Sequence, residues 1–320
     1  MKNFLYFLIL IFLSIAISAF WYKSHRYDIK SPMQDIEYKK IILEDANNWT
    51  YTLEALRPVM GPEELTEFLK SNDKNSQIYT PSETNIKNGN FKANLHMHTI
   101  NSDGMATVEE RMNDAQAYAE KNIKDGYMVI AITDHNTVLG AQDVIKVLEK
   151  NKGKYNKLKV ILGIEIYTEY RRSEVTKEPI QIHVLTWCIN PFDEYLNNEF
   201  YKPNLNDKWN RTIPDRDFDW VIDTMSVNGI VGIAHPARYI HQLKDKKYKY
   251  ITEMLERYEK LNHNTLFAEG YYQSYPYTGT KEHLGNEYEK LVKYINDECE
   301  RLKINRSGST DAHGKSIFTK

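Results

Sequence analysis

Apolar segments alternate with amphipathic ones along the chain from about Phe91 onward. Seven of these segments are short, nearly continuous apolar runs, which are typical of strands buried on both faces of a sheet. We predict the strands at Phe91–His98, Tyr127–Thr133, Lys159–Ile166, Ile180–Trp187, Ile230–His235, Thr265–Glu269 and Lys303–Ser309.

Between these runs, apolar residues recur every three or four positions, as they do on one face of a helix. Strands that alternate with helices predict a parallel sheet. Seven such strands favour an α/β fold with a closed or nearly closed (β/α)7 barrel over an open sheet, and we place this domain at residues 91–320. The predicted helices are Val108–Lys121, Leu139–Asn151, Asp217–Val227, Ile251–Leu261 and Glu287–Leu302.

The first segment of the chain has a different pattern. Lys2 precedes an uncharged apolar run from Phe4 to Trp21, and Lys23 follows it. A positive residue before such a run is typical of secreted proteins, and the run is just long enough to cross a bilayer. We therefore predict that residues 1–22 are a signal peptide or a membrane anchor, with membrane association through residues 4–21 in the second case. Either alternative exports the protein to the periplasm, the cell exterior or the outer face of a membrane.

Residues 23–90 are polar and are predicted to form an N-terminal extension. Short helices are expected at Asp45–Leu56 and at Pro62–Leu69, where a proline occupies the first turn. The stretch Ser71–Gly89 is rich in Asn, Ser and Lys, which is typical of a linker.

The overall charge is nearly balanced, with 42 basic and 44 acidic residues. Because no basic stripe is present, no stable nucleic-acid partner is expected. Cys188 and Cys299 are too few for a disulfide framework; they could pair with each other, but we expect two buried thiols.

Side chains of the metal-binding type occur where the predicted strands end. His96 and His98 close the first strand, and their spacing of two places both imidazoles on one side. In a barrel of parallel strands, the C-terminal strand ends converge on one face, where active sites form. Six of the ten histidines follow this arrangement. The candidate metal ligands are His96, His98, Asp103, His135, Glu165, His183, His235, Asp311 and His313.

The mixture of donors narrows the choice of metal. Imidazoles combined with carboxylates suit Zn, Mn or Fe, whereas Ca or Mg alone would favour oxygen ligands throughout. Nine donors are too many for one tetrahedral ion and fit two or three divalent ions that share a carboxylate. Metal ions grouped in this way hold the attacking and leaving oxygens of a displacement reaction.

The order of these residues resembles the motifs of the PHP (polymerase and histidinol phosphatase) family. The motifs are His-x-His followed by Ser-Asp-Gly, then Thr-Asp-His, Gly-x-Glu, a histidine inside a strand, Ala-His-Pro and Asp-Ala-His, over residues 91–313. The resemblance implies a distorted seven-stranded barrel, a trinuclear metal site and, in most members, phosphoesterase activity.

The resemblance also implies how the ligands are shared among three metal ions. Some members have histidine where this chain has Asp103, whose negative charge favours manganese or iron. By this resemblance, His96, His98, Glu165 and Asp311 hold the first ion, Glu165, His183 and His235 hold the second, and Asp103, His135 and His313 hold the third.

The predicted function is hydrolysis of a phosphoester by a metal-activated hydroxide. The expected substrate is a small phosphorylated compound, and nucleotides and oligonucleotides are among the candidates. Two alternatives stay open. The first is hydrolysis of a non-phosphate bond, an amide or a lactone, at the same kind of site. The second is a non-catalytic PHP-like domain that binds metal or another ligand.

Two residues beside the ligands are candidates for a catalytic role. Asp134 either orients a ligand imidazole or caps the turn after its own strand. Arg238 either holds a substrate phosphate through two hydrogen bonds or is an ordinary surface residue. Weaker candidates for ligand or substrate contacts are Glu269, Arg171, Arg172, Tyr271, Tyr272, Tyr275 and Tyr277, although a tyrosine-rich loop usually serves packing.

Overall fold

The apolar runs of the sequence form the strands of one sheet. A computed structural model describes residues 35–45, 51–172, 179–200, 216–236, 248–262, 265–272 and 287–318. The strands in this part of the chain are β1 (Ala93–Asn94), β2 (Met128–Ile132), β3 (Leu158–Arg172), β4 (Pro179–Trp187), β5 (Arg216–Asp217), β6 (Ile230–Ile233), β7 (Phe267–Tyr272) and β8 (Asn305–Ser309).

The sheet is a nearly closed, barrel-like arrangement of seven strands in a mixed α/β fold. Its order is β1-β2-β3-β4-β6-β7-β8, and the two-residue strand β5 pairs with β3 outside this path. Beyond β1 and β8, Met97 and Ala312 form a parallel bridge, and the amide of His98 donates to the carbonyl of Ala312 at 3.0 Å. These contacts bring the first and last strands together.

One strand runs against the expected direction. The alternation of strands and helices predicts a parallel sheet, but β4 is antiparallel to both β3 and β6. Only six residues separate Arg172 from Pro179. A parallel crossover needs about a dozen residues or more, so the two strands can only pair as a hairpin. The prediction of an entirely parallel sheet is therefore wrong at β4.

The helices follow the strands much as the hydrophobic pattern predicts. The side chain of Thr107 accepts a hydrogen bond from the backbone amide of Glu110, and the carboxylate of Glu110 accepts one from the backbone amide of Thr107. This capping box begins the helix at Val108. The helices of the described residues are α1 (Asp35–Asp45), α2 (Pro62–Asn72), α3 (Glu83–Lys87), α4 (Val108–Asn122), α5 (Leu139–Lys150), α6 (Glu194–Phe200), α7 (Phe218–Asn228), α8 (Lys249–Leu261) and α9 (Glu287–Leu302), with a 3-10 turn at Ser76–Tyr79.

Large side chains fill the core of the barrel. Every residue of β2 is buried, as expected for a strand covered on both faces. Trp187 at the end of β4 is fully buried, and its indole nitrogen donates to the carbonyl of Leu95 at 2.9 Å. The metal-type side chains therefore lie above a packed core.

The N-terminal extension packs directly on the barrel. Val59 bridges to Val160 at the start of β3, and Asp73 accepts three hydrogen bonds from Arg306 of β8 at 2.6–3.0 Å. Residues 53–58 form turns, so the predicted helix Asp45–Leu56 is absent at residues 51–56, and residues 46–50 lie outside the described ranges. The stretch predicted as a linker instead contains the 3-10 turn and α3, and Tyr79 within it is buried.

Two further predictions from the sequence concern cysteines and membrane spans. Cys188 and Cys299 are both buried and form no disulfide, as expected. In the described ranges, no helix is long and apolar enough to cross a membrane. The apolar run at residues 4–21 lies outside those ranges, so the signal or anchor stays a prediction.

Candidate metal centre

All nine candidate ligands lie in the described part of the chain, and their side chains meet at one place. Seven of them are buried, while Asp103 and His313 are partly exposed. Within each of three overlapping groups, the ligand atoms lie within 4.8 Å of one another. The first group is His96, His98, Glu165 and Asp311, the second is His135, Glu165 and His183, and the third is His98, Asp103, His135 and His313. His235 joins through its Nε2, which lies 2.9 Å from Glu165 Oε1.

The strands place these residues in two ways. His96 and His98 follow β1, and His135, His235, Asp311 and His313 follow other strands that point to the same face. His183 differs, because it lies in the middle of antiparallel β4, where it pairs with Tyr167 of β3. The place of His183 inside a strand agrees with the motif, but the expectation that the third strand ends at Glu165 is corrected, because β3 continues to Arg172.

The first group has the dimensions of a coordination sphere. The Nε2 atoms of His96 and His98 are 3.0 Å apart. His96 Nε2 lies 2.9 Å from Glu165 Oε2 and 3.3 Å from Asp311 Oδ1, and the corresponding distances from His98 Nε2 are 3.2 and 3.0 Å. The corners of a tetrahedron with zinc-type bond lengths are about 3.3 Å apart. These four atoms fit a single small metal ion.

Glu165 is shared between the first group and the second. Its Oε1 lies 2.8 Å from His183 Nδ1 and 2.9 Å from His235 Nε2. Its Oε2 faces His96 and His98 and also lies 2.8 Å from His135 Nδ1. A carboxylate with imidazoles at both oxygens has the geometry of a bridging ligand.

The third group is arranged around Asp103. Its Oδ2 lies 3.1 Å from His313 Nε2 and 3.5 Å from His135 Nε2. The Nδ1 of His313 donates to the backbone carbonyl of Asp311 at 2.8 Å, which leaves Nε2 available for a ligand bond. The ring of His98 stacks between those of His135 and His313, with 4.1 Å between centroids in each case. The first and third groups therefore share the imidazole of His98.

The charges in this cluster depend strongly on one another. Burial opposes ionisation of Glu165, but the surrounding imidazoles outweigh it and hold its pKa well below the usual range. Burial likewise opposes protonation of His98, yet Asp311 and Glu165 raise its pKa to about 9. His96 behaves in the same way, with a pKa well above its usual value. Protons thus balance the carboxylates where cations would otherwise do so, and metal binding must release them.

His135 and Asp103 show that the third group is also charge-coupled. Burial lowers the pKa of His135, which keeps this imidazole neutral and able to coordinate. Burial opposes ionisation of Asp103, but His135, His313 and His98 outweigh it and lower the pKa of this carboxyl. The neutral imidazole of His135 and the ionised carboxylate of Asp103 are the donor forms that a divalent ion requires.

The backbone is strained at several site residues. His235, Asp311 and Asn136 have positive φ angles of 29°, 50° and 53°. For residues other than glycine, this region costs on the order of 1–3 kcal/mol each and is concentrated at functional sites. The surrounding fold therefore stabilises conformations that these residues would not adopt by themselves.

Glu269 of β7 supports two of the ligands. Its carboxylate oxygens are each 3.3 Å from His96 Nδ1, and it accepts from the backbone amide of His235 at 2.8 Å and from the hydroxyl of Ser309. An acceptor at Nδ1 fixes the imidazole so that Nε2 faces the metal position. The predicted contact between Glu269 and a ligand is therefore present.

Asp134 has a different role from either of those expected. It accepts from the amide and hydroxyl of Thr99 at 2.6 and 2.7 Å and from the hydroxyl of Ser102 at 2.6 Å. These partners lie in the loop between His98 and Asp103. Asp134 thus holds a loop that carries two ligands, and it neither orients an imidazole directly nor caps the turn after its own strand. A catalytic role for Asp134 stays a prediction.

The remaining candidates lie elsewhere or outside the described residues. Arg238, Tyr275 and Tyr277 fall outside the described ranges. Arg171 pairs with Glu253 at 3.1 Å. Tyr271 stacks on Tyr79 and donates to the carbonyl of Asp73, so its side chain serves packing.

Two residues near the site were not predicted from the sequence. The ring of Tyr167 lies 4.6 Å from that of His135 and 4.3 Å from that of His183, and its position two residues after Glu165 gave a signal. Arg111 of α4 is fully buried, and its guanidinium donates to the carbonyls of His98, Ala312 and Ser316. Its signal was an arginine on the apolar face of a predicted helix.

The fold and site together define a barrel with clustered imidazole and carboxylate donors for divalent metal ions. The model of the PHP domain family matches residues 94–313 of this sequence. This chain therefore belongs to the PHP domain family.

Several known proteins are similar to parts of the chain. DNA polymerase/3'-5' exonuclease PolX from Bacillus subtilis (strain 168) is 26% identical over 118 residues, which cover 34% of this chain and 19% of PolX. An amidohydrolase from Chromobacterium violaceum, solved with sulfate and no metal, is similar in structure, with a TM-score of 0.46, 13% identity and coverage of 70% of this chain and 88% of that one. A candidate metal-dependent phosphoesterase from Bifidobacterium adolescentis has the same TM-score and coverage, with 16% identity.

Proposed function

We propose that this PHP-family protein is a metal-dependent phosphoesterase with three divalent metal positions. The observation that carries the proposal is the set of four donor atoms from His96, His98, Glu165 and Asp311, whose separations of 2.9–3.3 Å match the edges of a coordination sphere. Family membership and this cluster support a metal-dependent hydrolase. The number of ions, their identity as Zn, Mn or Fe, and phosphate as the target are the finer parts of the proposal.

The residues of the chain would serve as metal ligands, as positioning residues and as a substrate contact. His96, His98, Glu165 and Asp311 would hold the first ion, Glu165, His183 and His235 the second, and Asp103, His135 and His313 the third. Divalent ions bound there supply Lewis acidity and lower the pKa of water. Glu269 orients His96, and Asp134 fixes the loop that carries Asp103. Arg238 would neutralise charge on the substrate phosphate.

The proposed substrate is a small phosphorylated compound. The similarity to PolX, which is named as an exonuclease, favours nucleotides or short oligonucleotides within this class. The apolar run at residues 4–21 further suggests that the protein is exported, which would make it an enzyme of extracytoplasmic phosphate compounds. Fractionation of cells that express the tagged chain would test export, and a purely cytoplasmic protein would contradict it.

The test of the activity combines metal analysis with hydrolysis assays. The full-length chain is purified, its metal content is measured by elemental analysis, and it is assayed with Mn, Zn or Fe against phosphomonoesters, phosphodiesters, nucleotides, amides and lactones. We expect metal-dependent release from a phosphoester. Hydrolysis of an amide or lactone alone would instead support the non-phosphate alternative.

Matched variants separate the site from general effects on folding. Asp311→Asn removes a charged ligand at the centre, whereas Asp297→Asn changes an exposed carboxylate of α9 that pairs with Lys293. We expect Asp311→Asn to lose metal and at least about 100-fold in activity, because the site depends on charged ligands for its ions, and Asp297→Asn to retain both. Full activity of a His96→Ala, Asp311→Asn double variant would refute the assignment.

A further inference from the structure

Arg111 is the most unusual charged residue near the metal centre. It belongs to the inner face of α4 and is fully buried. A buried cation normally lies against a carboxylate, because an uncompensated charge is costly away from water. The carboxylates of Asp134 and Asp114 lie near enough to interact with the charge of Arg111, but its guanidinium forms its hydrogen bonds with three main-chain carbonyls. Such a costly arrangement indicates that the position of those carbonyls matters.

The first carbonyl belongs to the peptide group that joins His98 to Thr99. Arg111 Nε donates to His98 O at 3.0 Å, and on the other side of the same peptide group the amide of Thr99 donates to Asp134 Oδ1 at 2.6 Å. A buried cation and a buried anion thus hold one peptide group. A Cβ at Gly104 would lie 2.4 Å from His98 O, so the loop that carries Asp103 also packs against it.

The second carbonyl belongs to the other ligand loop. Arg111 Nη2 donates to Ala312 O at 3.0 Å, and the same oxygen accepts from the amide of His98 at 3.0 Å. Ala312 lies between the ligands Asp311 and His313. Arg111 Nη1 donates further along this loop, to Ser316 O at 2.8 Å. One side chain therefore joins the ligand loops that follow β1 and β8.

We propose that Arg111 is a positioning residue that sets the spacing between the first and third metal positions. The inference rests on the proposed metal site. His98, Asp103, Asp311 and His313 all belong to these two positions, and all lie on the two loops that Arg111 joins. The first position has independent support, because Glu165 comes from β3 and Glu269 orients His96. The third position takes Asp103 and His313 from these two loops and only His135 from elsewhere, so it should be lost first.

The test compares Arg111→Met and Arg111→Lys with a matched arginine elsewhere. Arg306→Met removes a mostly buried guanidinium whose hydrogen bonds among the described residues go to Asp73. Each protein is stripped of metal, titrated with Zn by calorimetry, and analysed for bound metal after dialysis. Thermal unfolding of the metal-free forms provides the measure of stability.

We expect Arg111→Met to bind one ion fewer per chain, or to bind that ion about 10- to 100-fold more weakly, as is typical when residues behind metal ligands are changed. Arg111→Lys should recover part of this affinity, because its ammonium can reach one or two of the carbonyls. Arg306→Met should bind as many ions as the unaltered protein despite a lower Tm. If Arg111→Met does not fold, Gly104→Ala tests the same peptide group from the loop side and should weaken the same ion.

Three outcomes would overturn the inference. Unaltered stoichiometry and affinity in Arg111→Met, or in Gly104→Ala where that variant replaces it, would refute it and leave the proposed function intact. Equal loss of metal in Arg306→Met would show that metal is lost whenever the fold is destabilised, and not because Arg111 positions the ligand loops. An unaltered chain that binds no divalent ion would refute the proposed function, and this inference with it.

Discussion

The clearest test of the shared carboxylate is Glu165→Gln. Glu165 lies 2.8–3.2 Å from imidazole nitrogens of five histidines, and it contributes to two of the three proposed metal positions. Glutamine keeps the shape of the side chain but removes its charge, and one of its two terminal atoms becomes a donor that cannot bind metal. We therefore expect the variant to retain about one of three ions.

The size of the effect follows from linkage between binding and folding. At a free metal concentration of 100 times Kd, each ion stabilises the fold by about 2.7 kcal/mol. Three ions then contribute about 8 kcal/mol and one ion about 3 kcal/mol. For a domain of this size, 1 kcal/mol shifts the Tm by about 2–4 °C. The rise in Tm on adding metal should therefore be smaller in Glu165→Gln by about 10–20 °C.

Thermal unfolding with and without Zn or Mn measures this difference directly. Comparing the metal-induced shift within each protein removes any effect of the substitution on the metal-free fold. Glu300→Gln is the matched control, since Glu300 is an exposed residue of α9 that pairs with Lys74. A metal-induced shift in Glu165→Gln equal to that of the unaltered protein would refute the bridging role.

Three further predictions concern stability and pH. Asp73→Asn should destabilise the fold by about 1.5–3 kcal/mol at pH 7, because it weakens charged hydrogen bonds to Arg306. Burial opposes the ionisation of Asp73, but its bonds with Arg306 outweigh this and lower its pKa. The stabilisation is therefore complete above the unfolded pKa of about 3.9 and is lost as pH falls through the lower folded value. Urea unfolding at pH 7 and below pH 3 checks this, and an equal difference at both would contradict it. Gly140→Ala would place a Cβ 1.9 Å from Asp134 Oδ2, so we expect at least about 1 kcal/mol of destabilisation and weaker metal binding; unchanged urea unfolding and metal content would contradict this. Metal affinity should rise with pH towards about 9, the pKa of His98 in the metal-free protein, because the bound proton must leave first. Calorimetry in two buffers of different ionisation enthalpy measures the released protons, and identical heats would show that none are released.

Much of the fold could be predicted because local patterns and the overall structure agree here. The run from Met128 to Ile132 is apolar throughout because both faces of β2 are buried. The capping box of Thr107 and Glu110 fixes the start of α4. The direction of β4 could not be predicted from its apolar pattern, since periodicity shows which faces are buried and not which way a strand runs.

The clustering of the candidate ligands could be predicted more completely than the residues that support them. Each imidazole or carboxylate at a predicted strand end can be found in the sequence. Few roles other than metal binding explain so many of them in one chain. Arg111 and Asp134 can each be noticed in the sequence, but they act on distant loops, and a single sequence does not show which loop such a residue contacts. The burial of Tyr79 was not predicted either. Its neighbours in the sequence are polar, yet its side chain is fully buried against the barrel.

The closure between the two ends of the sheet has a consequence for the order of assembly. His98 and Asp311 meet 3.0 Å apart although 213 positions separate them along the chain. Contacts of such long sequence separation form slowly, because the intervening chain must first become ordered. The pairing of β3 with β4, in contrast, brings His183 beside Tyr167 although only 16 positions separate them along the chain. A nascent chain thus holds Glu165 and His183 together early and completes the four-donor set last, so metal capture should coincide with the final closing of the barrel.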